Sequence, residues 1–371
     1  MIEAIYNKLK LELSVQENKV TFIHLHSNGV TGNNHAIYEG LKAYPQYKIE
    51  HITLNEVKQE MYSIKEKSQT DYKIAYLLAT SKYIILNDYY SMFSKIQLRP
   101  ETELIQVWHG GGAFKKFGKH SLRNQANETA LMNALKGHAQ YSKVIVSCPE
   151  VVPIYADALN LAQEKVLPLG LPRADVLYKG TYQNKVKSDF YKRFPNLEGK
   201  EIILYAPTYR DHNRKRENLG LNLTRFGDSL KSNQVLLLKA HPFERGKIFI
   251  PSKYETSILN MSELEINDLL ILSNCLITDY SSVIFEYAIL NKPMIFYTPD
   301  LELYEKQIRG FYYPYEELVP GPIVLNEIDL LNTIHNGKYD LSKIEDFAKR
   351  FNGYHDGQAT SRVLQEVFNI T

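Results

Sequence analysis

The sequence predicts an α/β fold built as two domains, each around a parallel sheet. Three observations predict it. Short β-rich runs alternate with helical patterns along all 371 residues, the order that produces parallel sheets. The β-rich runs are dense in Val, Ile and Leu without clear alternation, as in strands buried on both faces. Nine or ten such runs over this length fit two domains of ordinary size better than one.

The elements follow in order. Residues 2–13 carry a weak helical stripe (Ile2, Ile5, Tyr6, Leu9, Leu13), read as packing on the body of the protein rather than on a membrane. Strands are expected near 20–24, 49–52, 83–86, 104–107 and 143–147, and helices at 127–140 and 151–162. The run Leu167-Pro168-Leu169-Gly170-Leu171-Pro172 then stops regular structure with two prolines and a glycine, and marks the expected hinge. In the second half strands are expected near 202–206, 235–239, 276–278 and 294–296, with helices at 281–290 and 342–351. No internal repeat and no low-complexity tract interrupts the pattern.

Composition narrows the function classes. The formal net charge of +2 gives no overall field that calls for nucleic acid. Basic residues do gather at Lys115, Lys116, Lys119 and Arg123, where an anionic acceptor or a lipid surface can bind. Arg214, Lys215 and Arg216 are equally well read as a solvated loop. Two cysteines, Cys148 and Cys275, make neither a disulfide framework nor a metal cluster, and read as small buried residues of a reduced compartment. No signal peptide is visible, and no apolar run approaches the roughly 20 residues that span a bilayer.

Chemically capable residues gather where strands end. His26, Asn28, Gly29, Gly32 and Asn33 follow the first strand, and Trp108, His109 and three glycines follow the fourth. Pro207, Thr208, Tyr209 and Arg210 follow 202–206, His241 and Pro242 follow 235–239, and Asp279, Ser281 and Ser282 follow 276–278. In open parallel sheets that edge is where ligands bind, and two such edges facing each other make a cleft.

The segment Ile277-Thr278-Asp279-Tyr280-Ser281-Ser282-Val283-Ile284-Phe285-Glu286 is the most telling. It reads as a strand turning into a helix with hydroxyls at the helix start, where unpaired N–H groups and the macrodipole suit a phosphate. Glu286, four residues after Ser282, shares its helix face and can take a ribose hydroxyl. The plainer alternative is a serine cap with a solvated glutamate. Asp279 is expected to hold the turn together or to bind substrate. His109, in a glycine run, is a candidate base, the alternative being a turn histidine bonded to a local carbonyl. His241 can donate to a phosphate or protonate a leaving group. Arg210 suits a phosphate or a cytosine carbonyl, or else a surface ion pair with Asp211 or Glu217. His24, His26 and His35 around the first glycine loop show no metal-ligand spacing.

Other chemistries lack their signatures. There is no Gly-x-x-x-x-Gly-Lys-Ser/Thr loop, no Gly-x-Ser-x-Gly elbow and no Asp-x-Asp, with Asp300-Leu301-Glu302 the nearest approach. That argues against a P-loop kinase, an esterase and a metal-dependent transferase with one nucleotide domain.

Taken together, the segments resemble the CDP-glycerol glycerophosphotransferase family, the teichoic-acid primases and polymerases of bacteria. The resemblance runs from about residue 20 to the end, in family order. It is carried by Gln106-Val107-Trp108-His109-Gly110 with Lys115-Lys116-Phe117-Gly118, and by Gly170-Leu171-Pro172-Arg173-Ala174-Asp175. Ala206-Pro207-Thr208-Tyr209-Arg210, Lys239-Ala240-His241-Pro242 and Thr278-Asp279-Tyr280-Ser281-Ser282 with Phe285-Glu286 follow. Gly310-Phe311-Tyr312, Gly321-Pro322 and Asp356-Gly357 with Arg362 complete it. One segment departs from it: Gly111-Gly112-Ala113-Phe114-Lys115 stands where many relatives have Thr-Pro-Leu-Lys.

The resemblance implies a glycosyltransferase-B-like fold, two Rossmann-like domains facing across a cleft. It implies an acceptor-side domain at 1–170, a CDP-alditol-binding domain at 171–352, and a C-terminal helix at 353–371 packing back on the first domain. It implies transfer of an alditol phosphate from CDP-glycerol or CDP-ribitol to a hydroxyl of a polyprenyl-linked saccharide or polymer, with release of CMP. The donor phosphates would lie on Ser281 and Ser282, with Asp279, Arg210 and Glu286 close by. His109 would be the base and His241 would stabilise charge on the phosphoryl group or departing CMP. Gly110, Gly111, Lys115 and Lys116 would lie on the acceptor side. No metal, no tightly bound cofactor and no nucleic acid is expected, and the place of work is the cytoplasmic face of the membrane, held peripherally. A nucleotide-sugar glycosyltransferase of the same fold and a non-catalytic scaffold are the rival readings.

Overall fold

A computed structural model describes residues 1–25, 27–121, 126–208, 217–240 and 248–370. The chain divides into two units, Met1–Asp175 with Asp356–Thr371, and Val176–His355. Each is built on one six-stranded parallel sheet.

In the first unit β1 (Gln16–Ile23), β2 (Lys48–Ile52), β3 (Ser81–Leu86), β4 (Glu103–Gln106), β5 (Lys143–Ile145) and β6 (Val166–Leu167) stand in the order β2-β1-β3-β4-β5-β6. Val20 is in register with Ile49 on one side and Tyr83 on the other. The order reverses between β1 and β3, so crossovers leave that point in opposite directions. Val20, Phe22, Ile37, Ile85, Ile105 and Val107 are core residues on this sheet. The helix Ile64–Thr80 starts at a reciprocal cap in which Ser63 and Glu66 satisfy each other's backbone N–H. The first helix, Ile2–Glu12, buries Ile2, Tyr6 and Leu9 and packs on Ile64–Thr80, so its stripe serves the body of the unit.

The final helix, Ala359–Phe368, belongs to the same unit. Val363, Leu364, Val367 and Phe368 lie in the core with β1 and β3. The N–H groups left unpaired at its start are closed by Asp175, whose carboxylate accepts from Ala359 (2.9 Å) and Thr360 (2.8 Å).

In the second unit β7 (Glu201–Tyr205), β8 (Gln234–Leu238), β9 (Ile258–Asn260), β10 (Cys275–Thr278), β11 (Met294–Tyr297) and β12 (Ile323–Val324) stand in the order β12-β11-β10-β7-β8-β9. This is the Rossmann order, and its switch point lies between β7 and β10. Every residue of β8 and β10 is buried, which explains their unbroken apolar runs. The helix Leu341–Phe351 buries Ile344, Phe347, Ala348 and Phe351, one face at helical spacing. It lays Phe347 against Phe285 (5.2 Å between rings), so the short helix Val283–Ile289 is held from behind.

Three strands escape the sequence reading: β6, β9 and β12, of two or three residues each, all at sheet edges. Such runs are too short to show a pattern. Both cysteines are buried free thiols. Among the described residues no helix is long and apolar enough to cross a membrane.

Candidate functional site

The switch point of the second sheet carries one cluster. Asp279, the first residue beyond β10, is buried, and its Oδ1 accepts from the backbone N–H of Thr208 (2.7 Å) and of Tyr280 (2.6 Å). Thr208 lies three residues beyond β7, so one carboxylate oxygen ties the ends of the two switch-point strands together. Thr278 Oγ1 adds a bond to Ala206 O (2.7 Å). Tyr315 donates its hydroxyl to Asp279 O (2.8 Å), and Tyr280 stacks on Tyr304 at 3.9 Å between rings. The turn therefore stands on a rigid aromatic base.

Ser281 and Ser282 top this turn, both half-buried. The helix behind them is shorter than its sequence suggests, Val283–Ile289 rather than 281–290, because Ser281 and Ser282 form the turn itself. Ser282 makes no capping bond, and Ser281 Oγ accepts only a long bond from Val283 N–H (3.4 Å). Two helical turns give little macrodipole. The serine hydroxyls and the strand-end position carry the case for a phosphate instead. Glu286 is fully buried, not solvated. Arg210 and His241 lie outside the described residues.

The first unit carries the second cluster, beyond β4. His109 has an exposed side chain whose Nδ1 is 3.6 Å from Asp88 Oδ2, a residue just beyond β3. That carboxylate stabilises the positive charge an imidazole gains when it takes a proton, and biases its ring orientation. Asp88 was not legible as a site residue. Leu86-Asn87-Asp88 after an apolar strand looks like any polar turn, and the only signal was its place on the same sheet edge.

The turn itself is unusual. Trp108, not a glycine, takes a left-handed backbone with φ 53°, and of the three glycines only Gly112 has positive φ (63°). Gly110 and Gly111 are buried. The Trp108 indole stacks on the His109 ring (5.0 Å) and packs on Phe117 (5.1 Å) and Tyr155 (6.0 Å). Gly112 is fixed by Ser147 Oγ, which accepts from its N–H (3.0 Å), and by Tyr155, which donates to its carbonyl (3.1 Å).

Lys115 and Lys116 follow, partly exposed. Lys119 instead lies 2.6 Å from Asp157, which also meets His120 at 2.9 Å, and Arg123 is outside the described residues. The hydrogen bond from Lys119 holds the Asp157 carboxyl below its usual range. The basic run is thus partly neutralised. Among the described residues no group of three or more His, Cys, Asp or Glu is placed to hold a metal ion.

His24 and His51 have a different part. They stack at 5.2 Å, share a 3.0 Å contact between His24 Nε2 and His51 Nδ1, and are buried to different degrees beside Phe22 and Asn34. Burial, with His51 adding to it, pushes His24 from 6.5 to about 4, and burial lowers His51 as well. Burial also pushes His138 to about 4.

Above pH 6.5 both folded and unfolded chains keep His24 neutral, so it adds no pH dependence. Below that, the unfolded chain takes up a proton that the folded chain refuses, and stability falls until about pH 4. The loss from this residue reaches about 3 kcal/mol. Denaturant midpoints at pH 7 and 5 should therefore differ, and His24→Gln should flatten part of the slope. Equal midpoints would rule out a buried neutral pair.

Residues 5–369 match the family described as CDP-glycerol:poly(glycerophosphate) glycerophosphotransferase. The chain is 35% identical to a teichoic acid ribitol-phosphate primase of Bacillus spizizenii, covering 96% of this chain and 92% of the relative. It is 36% identical to a teichoic acid glycerol-phosphate primase of Bacillus subtilis, over 84% and 80%. It also matches a poly(ribitol-phosphate) polymerase of Bacillus spizizenii, at 34% identity, but spans only 57% of that protein's length.

In fold the chain is similar to the wall teichoic acid polymerase TagF, with a TM-score of 0.84 at 23% identity, covering 99% of this chain and 93% of the other. A histidine-to-asparagine variant of that polymerase, soaked with CDPG, gives the same score at 22% identity over 99% and 92%. The two-sheet α/β architecture is thus the glycosyltransferase-B-like one that the motifs imply. The chain belongs to the CDP-glycerol:poly(glycerophosphate) glycerophosphotransferase family and is an enzyme of that transferase class.

Proposed function

We propose that the enzyme transfers glycerol phosphate or ribitol phosphate from CDP-glycerol or CDP-ribitol to a hydroxyl of a polyprenyl-linked saccharide or polymer. The observation that carries this is the Thr208–Asp279 tie at the switch point, which sets Ser281 and Ser282 where a Rossmann-type sheet takes its ligand. The family description names CDP-glycerol, and the names of the relatives, ribitol-phosphate and glycerol-phosphate primases, add the two alditols.

The roles divide as follows. Ser281 and Ser282 take the donor pyrophosphate, Asp279 holds their turn, and Glu286 receives a nucleotide hydroxyl. Arg210 is assigned to the nucleotide, and His241 to charge on the phosphoryl group or departing CMP. His109 takes the proton of the acceptor hydroxyl, whose oxygen attacks the phosphorus bearing the alditol. The new P–O bond forms as the bond to CMP breaks, and CMP leaves with the electron pair. Alignment and charge stabilisation do most of this work. No bound metal or tightly bound cofactor is assigned to the reaction. Gly110, Gly111, Lys115 and Lys116 line the acceptor side. The enzyme works as a peripheral protein on the inner face of the membrane, with Lys115 and Lys116 against it.

The test offers CDP-glycerol, CDP-ribitol and UDP-sugars, with a polyprenyl-linked acceptor in anionic vesicles, and identifies the released nucleotide. CMP from one CDP-alditol is expected. Ser282→Ala should weaken donor binding about 10-fold, the order of one lost bond to a charged group. Release of a nucleoside diphosphate would assign a glycosyltransferase, and no release from any donor would favour a scaffold. Vesicle binding should fall as salt rises, because surface charge attraction is screened. Binding that resists salt and yields only to detergent would overturn the peripheral charge-based attachment.

A further inference from the structure

His109 stands on a turn that its own residues do not favour. A left-handed backbone crowds Cβ against the carbonyl, and Trp108, with φ 53°, has no glycine's exemption. Something outside the turn must hold it. Two side chains do so.

Gln106, the last residue of β4, accepts the Trp108 N–H at its Oε1 (2.9 Å). Its Nε2 donates to Asp88 O (2.9 Å) and to Tyr141 Oη (3.2 Å), so the same amide spans the Trp108 turn and the backbone of Asp88. From the other side comes Asn33, in the first turn of the helix Gly32–Leu41 and buried to 1% exposure. Its Nδ2 donates to Val107 O (2.8 Å) and to Trp108 O (3.1 Å). Its Oδ1 accepts from Arg173 N–H (3.0 Å). These partners fix which end of the amide is which, because only an NH₂ can face two carbonyls and only an oxygen can face an N–H.

The carbonyls on either side of Trp108 converge on one amide, which an extended peptide, with its alternating carbonyls, does not allow. The Asn33 amide therefore holds the backbone at Trp108 turned rather than extended.

We propose that Asn33 is a positioning residue for the transfer reaction. By bonding both carbonyls that flank the Trp108 α-carbon, it holds the indole against the His109 ring and the imidazole beside Asp88. This rests on the reading of His109 as the base. Asn33 touches no substrate atom in this account; it acts through the Trp108 peptide. A misdirected base costs rate even when every reacting group is present.

The test uses the full-length enzyme with CDP-alditol and acceptor. Asn33→Ala should lower kcat about 10-fold while KM for the CDP-alditol stays within about 2-fold, because the proposed donor contacts lie in the second unit. Asn33→Asp keeps the acceptor for Arg173 N–H and loses both donors, and should show the same split if the alanine variant folds poorly. In a His109→Ala background, Asn33→Ala should bring no further loss, since residues acting as a unit are not additive. If both Asn33 variants keep wild-type kcat while His109→Ala loses it, the positioning role fails and the base stands. If the Asn33 and His109 losses multiply, Asn33 acts by another route and the proposal fails. If His109→Ala keeps full turnover, the base reading itself fails and takes the proposal with it.

Discussion

His109→Ala is expected to reduce turnover by about 100-fold or more, the usual scale for loss of a general base, with donor binding near the wild-type value. The two effects separate because of where the groups lie. His109 follows β4 of the first sheet, whereas the turn assigned to the donor phosphates follows β10 of the second. His109 has what a base requires: an exposed ring and a carboxylate, Asp88, 3.6 Å from Nδ1. In the proposed mechanism the ring takes the substrate proton. Turnover would be measured as CMP release at saturating donor, and donor affinity by calorimetry with the variant. Equal turnover in variant and wild type would remove His109 from the mechanism. A loss confined to donor affinity would move the nucleotide to the first unit and reverse the assignment of roles.

Gly118→Ala is expected to cost the first unit a large share of its stability. Gly118 has φ +57°, and a Cβ there would stand 2.1 Å from the carbonyl oxygen of Ala158. Backbone cannot swing aside as a side chain can. The loop is also pinned on either flank: Phe117 packs on Trp108 and Tyr155, while Lys119 and His120 hold Asp157. Left-handed strain plus this overlap should destabilise by about 3–5 kcal/mol, seen as a fall of about 10 °C in the melting temperature.

Gly32→Ala is the control within the same unit. Its φ is +60°, but the nearest atom to an added Cβ is the flexible Arg173 side chain at 3.9 Å. Strain alone should then cost about 1–2 kcal/mol. Equal losses for the two variants would mean that the Ala158 contact relaxes freely.

The sequence reading reached the sheets because β1, β3, β7, β8 and β10 are long enough, and buried enough, to print their burial as apolar runs. It missed β6, β9 and β12, edge strands of only two or three residues. The placement of His109, Asp279 and the serines beyond strand ends was legible for the same reason as the strands. What each does locally was not. The left-handed turn sits at Trp108 rather than at the first glycine because Asn33 and Gln106, 75 and 2 residues away, hold it there. No local propensity records such a contact. The plainer alternative for Glu286, a solvated glutamate, fails because the folded unit buries it fully. Asp88 carries no motif at all, and only its distance to His109 reveals it.

The residue stacked on His109 is also the only tryptophan in the chain. Every photon of indole emission from this enzyme therefore originates beside the proposed base. A protonated imidazole quenches a neighbouring indole more strongly than a neutral one, so the ring next to Trp108 writes its charge state into the emission intensity. Displacement of the stack by an incoming acceptor would change the same signal. Without any label, the intact enzyme thus supplies an optical record of the proposed acceptor side, and the second unit, having no indole, adds no background to it.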